Sequence, residues 1–180
     1  MRKAVLFGCL AAVSAALVGT ARGAEPETGT LSVEGGRGVF TLEVRGSTLG
    51  TLSNGSIIVV DRTLNDPYVP IVTGRRVVQR WLSPARVQVR GWGLRFRMLG
   101  GSYRFVIRGT GLALSAVGRG FVLRDGEPHV PGDDMGVYSL DGADCSTEPQ
   151  SCVPVPDDPI RVKLVGASQT SSGRQGPGIK

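Results

Sequence analysis

The sequence predicts an all-β antiparallel fold, and three observations carry that expectation. Glycine occurs 27 times in 180 residues, against a usual share of about 7%. Between the glycines lie short runs of β-branched and aromatic residues that alternate apolar with polar, the period-two pattern of half-buried strands. Outside the N-terminal apolar run, no stretch repeats its apolar residues at helical spacing.

The chain opens with Arg2 and Lys3, followed by an uncharged apolar run over 4–19 and the small residues Gly19-Thr20-Ala21. That order is the pattern of a cleaved secretory signal peptide, assigned to 1–24. The run is shorter than the roughly 20 residues of a comfortable membrane helix, so no membrane span is expected after processing. Cys9 leaves with the signal, and Cys145 and Cys152 remain. An even pair in an exported chain is expected to form a disulfide closing a short loop. C-x6-C without neighbouring His or Cys suits neither a metal site nor a redox pair.

One β domain is expected over 25–166. Leu31 and Val33 precede Gly35-Gly36, and Phe40, Leu42 and Val44 alternate after it. Ser53-Asn54-Gly55 reads as a turn followed by a strand over 56–61. Residues 62–74, with Asp66-Pro67 and Pro70, read as a loop, and 76–82 as a strand ended by Ser83-Pro84. From 86 to 124 the chain divides into segments 86–90, 93–99, 102–108, 111–117 and 120–124. They are separated by Gly91-Trp92, Gly100-Gly101, Gly109-Thr110 and Gly118-Arg119. Two-residue loops opening with glycine are the signature of type II′ or I′ hairpins, so a five-stranded antiparallel meander is expected here. Pairing outward from these loops aligns three apolar rows: Val87, Phe96, Phe105, Leu114, Leu123; Val89, Leu94, Ile107, Leu112; and Met98, Tyr103, Ala116, Phe121. With the N-terminal half, nine or ten strands result, forming a barrel or a sandwich. The alternative is a parallel β-solenoid, whose corners also favour a short glycine rhythm.

Residues 125–158 are rich in Asp, Glu, Pro and Gly and hold the cysteine pair. Short strands are expected at 137–140 and 160–164. The Ser/Gly-rich tail 167–180 is expected to be disordered.

Charge is segregated. Formal net charge is +6. Residues 75–124 contain eleven arginines and no Asp or Glu, whereas 125–158 contain nine acidic residues and no Lys or Arg. The hairpin register places Arg86, Arg97 and Arg104 in one row of the polar face and Arg95 and Arg124 in the next, with Arg108 alongside. Like charges opposite each other on a sheet repel, so an anion is expected to relieve them. Three readings follow: the acidic segment folds back over the arginines, an external anionic polymer or envelope component binds them, or the face is simply solvated. Interleaved aromatics for base stacking are lacking, so sequence-specific nucleic-acid recognition is not expected.

Other chemistry finds weaker footing. Asp133, Asp134, Asp141 and Asp144 are hard oxygen donors of the kind calcium prefers, but they match no calcium-loop motif. His129 is the single histidine; a hydrolase would have to gather it with carboxylates, or use a carboxylate pair such as Asp133-Asp134. No nucleophile elbow, phosphate loop or zinc helix motif occurs, and neither cofactor nor catalysis is expected. Trp92 falls in an expected loop, where it can fold over the end of the domain or stack on a sugar or partner, and Trp81 is expected in the core.

The stretch from Ser102 to Phe121, SYRFVIRGTGLALSAVGRGF, with the later Tyr138-Ser-Leu-Asp-Gly142, resembles exported β-rich proteins of GC-rich Gram-positive bacteria. The resemblance covers about half of the chain. It implies a class and a compartment, and transfers no activity and no binding residue. The expectation is a secreted, non-catalytic envelope or extracellular binding module, with a self-assembling surface protein and a hydrolase as alternatives.

Overall fold

The computed structural model describes residues 28–63, 66–127 and 132–164. The expected signal peptide, His129, the expected tail and the Asp133 side chain lie outside what it describes. Two long strands dominate, β1 (Gly29–Asp61) and β3 (Arg86–Gly126). Four shorter ones join them: β2 (Ile71–Ser83), β4 (Val137–Ser139), β5 (Val153–Pro154) and β6 (Ile160–Leu164). Every pairing is antiparallel, unlike a parallel solenoid. Among the described residues there is no α-helix, and hence none long and apolar enough to cross a membrane.

The five-stranded meander is not formed. β3 runs unbroken through all four glycine pairs at which hairpins were expected, and its neighbours are successive passes of β1. Primed turns need a left-handed residue near φ +60°. Gly109 instead has φ 154° and Gly118 φ 159°, which bends an extended chain without reversing it. At Gly100-Gly101, with φ 113° and 82°, the ladder to β1 continues from Leu99 to Ser102. The same holds at Ser53-Asn54-Gly55, where β1 continues. The loop expected over 62–74 is shorter, because β2 already begins at Ile71.

The register shows how the two long strands wind. Phe40 pairs with Ile107 on one side and Arg124 on the other, and Ile107 pairs in turn with Ile57, seventeen residues beyond Phe40. The ribbon therefore coils on itself and forms two layers. Across the first, the paired positions run Gln79, Val89, Ile57, Ile107, Phe40, Arg124, Ile160. Across the second they run Val72, Phe96, Gly50, Leu114, Val33, Tyr138, Val153. Glycine rows mark the corners between layers: Gly91, Gly55, Gly109, Gly38 and Gly126 at one, Gly29, Gly118 and Gly46 at the other. Phe96 of the second layer and Phe105 of the first meet with ring centroids 6.0 Å apart, inside a single apolar core. The sheet does not close into a barrel, since β2 pairs only with β3 and ends the strand order.

An odd advance per winding has a strict consequence. Side chains alternate along a strand, so residues seventeen apart would face opposite sides unless one corner inverts the alternation. The Gly55 corner does so: Leu52 and Ile57, Ile107 and Leu112, and Val89 and Leu94 are all buried although five residues apart. At the other corner the pass through Gly118 keeps the alternation, Ala116 and Val122 both being buried. The pass through Gly100-Gly101 inverts it, Met98 and Tyr103 being buried five residues apart in a winding, Val89 to Ile107, of eighteen residues. The expected rows therefore hold inward for Phe96, Phe105, Leu114, Leu94 and Tyr103 but fail beyond residue 118. There Val122 and Arg124 point inward and Phe121 is exposed.

Alanine at Gly55 would place a Cβ against the Arg108 carbonyl and 2.8 Å from the Gly109 Cα, both backbone atoms of the adjacent strand. Gly55→Ala is expected to lower stability by about 2–4 kcal/mol in urea unfolding, whereas the exposed neighbour Ser53→Ala shifts it by less than about 0.5 kcal/mol.

Tyr103 is buried, and its hydroxyl donates to the Tyr68 carbonyl, tying the 62–70 loop to the sheet. Burial, then the charges of Asp61 and Asp66, push its phenol up to about 12 from an ordinary value near 10. The folded state thus holds this proton more tightly than the unfolded one. The associated stability is complete below about pH 10 and is lost as pH rises toward 12, about 2–3 kcal/mol in all. Urea midpoints measured from pH 9 to 12 are expected to fall in the native protein, and this component of the fall is absent in Tyr103→Phe.

Candidate anion-binding site

The six arginines expected on one face fall in three places. Arg86, Arg104 and Arg108 lie on the outer side of the first layer, paired around Val60, Glu43 and Ser56. Arg95 and Arg97 lie on the outer side of the second layer, paired with Thr51 and Leu49. Arg124 points into the core and is 2% exposed. The cause is the winding: 86–126 passes through both layers instead of folding back on itself, and its last pass follows the corner that preserves alternation.

The first layer's outer side is strongly basic. From β3 come Arg86, Arg90, Arg104, Arg108 and Arg119, all exposed; β1 adds Arg45, β2 Arg80, and β6 Arg161 and Lys163. The acids among them are Glu43 and Asp125. Glu43 takes Arg62 at 3.1 Å and Arg104 at 3.6 Å, and Arg45 faces Arg119 directly.

Beyond Asp125, the described part of the acidic segment docks on the other layer. β4 pairs with Ser32, Val33 and Glu34 of the second layer, and the Cys145 amide donates to the Ser32 hydroxyl at 3.0 Å. Cys145 and Cys152 form the expected disulfide. Asp144 and Ser146 then line a cleft of about 390 Å³ beside Arg95 and Glu34. Among the described residues, the ion pair reaching a basic side chain from this segment is Glu127 with Arg37, at 3.6 Å. Two of the calcium candidates, Asp141 and Asp144, are occupied locally. The Ser139 hydroxyl and the Ala143 amide donate to Asp141 and hold its carboxyl below the usual range. Ser146 does the same for Asp144 through its hydroxyl and amide. No group of three or more potential metal ligands assembles among the described residues.

A groove of about 570 Å³ lies over the Gly55 corner. Three rows across three strands build it. The floor is Gly91, Gly55 and Gly109; one wall is Trp92, Asn54 and Thr110; the other is Arg90, Ser56 and Arg108. β2 closes one end through an irregularity: Arg75 pairs with Trp92 and Val78 with Arg90, so two residues of β2 span one of β3. This β-bulge holds Arg76 at φ 51°, a conformation uncommon outside glycine, and Arg76 lines the groove. Trp92 is 56% exposed at the wall. Among the described residues none of Arg76, Arg90 and Arg108 pairs with a carboxylate.

Arg108 and Trp92 were legible as candidates in the sequence; Arg76 and Arg90 were not. Their signal was the doubled Arg75-Arg76 and Val77-Val78, which breaks alternation at the bulge. Trp81, expected in the core, is 64% exposed on β2, beside which no further strand lies among the described residues.

Comparison of the chain with family models, with curated proteins and with solved structures gives no match. The class is therefore set by the molecule itself: an antiparallel all-β domain with a disulfide-bearing acidic arm, one basic surface and a glycine-floored groove.

Arg124 is the exception inside the core. Its guanidinium lies 3.6 Å from the centroid of the Tyr138 ring, while Nε and Nη1 have no hydrogen-bond partner among the described residues. Burial draws its pKa below the ordinary arginine value. Burying an unpaired charge costs several kcal/mol, more than one cation–π contact returns. Arg124→Met, which keeps the length and removes the charge, is expected to raise stability by about 1–3 kcal/mol in thermal or urea unfolding. Arg124→Ala, which leaves a cavity, is not expected to match it.

Proposed function

We propose that this protein is a non-catalytic binding domain of the cell exterior or envelope, its two layers packed as a β-sandwich, which takes an anionic polymer on its arginine-bearing surface. The basic outer side of the first layer carries the reading. Nine exposed cations stand there with Glu43 and Asp125 as the acids among them, and the acidic arm docks on the other layer. Such a field concentrates polyanions and speeds their capture. Export is supported by the N-terminal pattern, by the resemblance to exported β-rich proteins, and by the disulfide, a bond that persists in oxidising compartments. Mature protein is expected to bind dextran sulfate with an affinity that falls steeply as salt rises, and replacing Arg86, Arg90, Arg104 and Arg108 together by Gln weakens it. No binding at low salt would overturn the reading.

A second reading, self-association, is favoured by β2. This thirteen-residue strand is unpaired along one side among the described residues, with Val78 65% and Trp81 64% exposed. An exposed apolar edge is a template for another strand. Two copies of β2 paired antiparallel about Gln79 would set Val77 against Trp81 and Val78 against Arg80, with no two arginines opposite. Light scattering across a dilution series is expected to show dimer dissociating to monomer, and Val78→Lys lowers the dimer fraction. A strict monomer at every concentration ends this reading.

A further inference from the structure

We propose that the groove over the Gly55 corner is a cleft for an acidic polysaccharide, a sugar ring stacking on Trp92 while Arg90 and Arg108 grip its carboxylate or sulfate groups. The proposal rests on the anionic-polymer reading and narrows it to one site and one ligand class.

Three features point to a glycan. An indole exposed on a groove wall offers a flat apolar face, which suits the apolar face of a pyranose ring. Asn54, Ser56 and Thr110 set one amide and two hydroxyls beside it, a neutral hydrogen-bonding set suited to sugar hydroxyls. Arg90 and Arg108 flank Ser56 on the two neighbouring strands. They stand roughly 10 Å apart at two strand spacings, close to the length of one disaccharide in an extended chain. Each guanidinium can hold a carboxylate or sulfate through two parallel hydrogen bonds.

The floor explains why a chain, and not a single ring, fits. The glycine row continues from Gly91 through Gly55, Gly109 and Gly38 to Gly126, roughly 19 Å at the strand spacing. A second concavity, over Gly38 and Gly126, continues it past Arg108. That end carries Asp125 and Glu127, so the anionic contacts are confined to the Trp92 end. The bulge at Arg76 supplies the third cation and stops the groove at β2. A single-stranded nucleic acid would instead use successive aromatics. Trp81, the other exposed tryptophan, pairs beside Val87, well along the strand from the groove.

The test is isothermal titration of the mature protein with polygalacturonate, with its methyl ester and with oligo(dT), using Trp92→Ala, Arg90→Gln with Arg108→Gln, and Arg86→Gln with Arg104→Gln. All the substituted side chains are exposed, and circular dichroism checks the folds. Trp92→Ala is expected to weaken polygalacturonate about tenfold, the worth of one aromatic contact. The groove arginine pair weakens it at least as much, the Arg86 and Arg104 pair less than about twofold, and esterification abolishes the arginine contribution. If Trp92→Ala binds as the native protein does, or if the Arg86 and Arg104 pair matters more than the groove pair, the cleft is wrong and the anionic-polymer reading stands. Tighter binding of oligo(dT) at matched charge overturns the ligand class. Failure to bind either polygalacturonate or dextran sulfate removes both.

Discussion

A two-stranded ribbon hydrogen-bonded along both edges cannot turn a corner by breaking its ladder, because each buried N–H or C=O left open costs as much as a lost hydrogen bond. The bend must come from residues that let neighbouring backbones close up, which here are glycines at the same height on adjacent strands. At Gly55 and Gly109 the neighbouring carbonyl and Cα lie where a Cβ would be. Corner glycines therefore act as rows, not as single positions, and the spacing between rows sets how many residues each layer receives. Where a winding spans seventeen residues one corner must invert the in-out alternation, and where it spans eighteen, from Val89 to Ile107, both corners do; those inversions decide which side chains enter the core.

The electrostatics follow from the same winding. A block of arginines contiguous in sequence is dealt out to both outer faces and, in the case of Arg124, to the interior. The acidic block is not free to neutralise them all. β4 and the contact of Cys145 with Ser32 pin it along the second layer, beside Arg95. The first layer is left with a field of one sign, only partly relieved where Glu43 takes two arginines. Such a surface is costly for the isolated fold, since like charges repel across the sheet, and it gains from an anion in solution.

Two places on the molecule are left unsaturated by the architecture. One is the outer edge of β2, where, among the described residues, the ladder stops and no further strand lies against Trp81. The other is the Gly55 corner, where absent side chains leave a trough that Trp92 and the arginines flank. They call for different partners: an edge takes another extended backbone, and a charged trough takes a chain of anions. Both arise where the regular ribbon gives out, at its end and at its bend.

Much of this was written in the chain. Alternation marked Phe40, Leu42, Val44, Phe96, Phe105 and Leu114 as inward-facing, and composition marked the disulfide, the short strand at 160–164 and the charged blocks. Strand pairing was not written there, because a glycine pair between two alternating runs serves equally for a reversal and for a bend, and only the partner strand distinguishes them. The local pattern thus determined that the protein is all-β and which residues in most segments seek the core. The tertiary structure alone decided that β1 lies on both sides of β3, that Arg124 turns inward while Phe121 turns out, and that Trp92, Arg76, Arg90 and Arg108 share one groove. Those outcomes depend on contacts between residues seventeen and more apart along the chain, where periodicity carries no information about which row meets which.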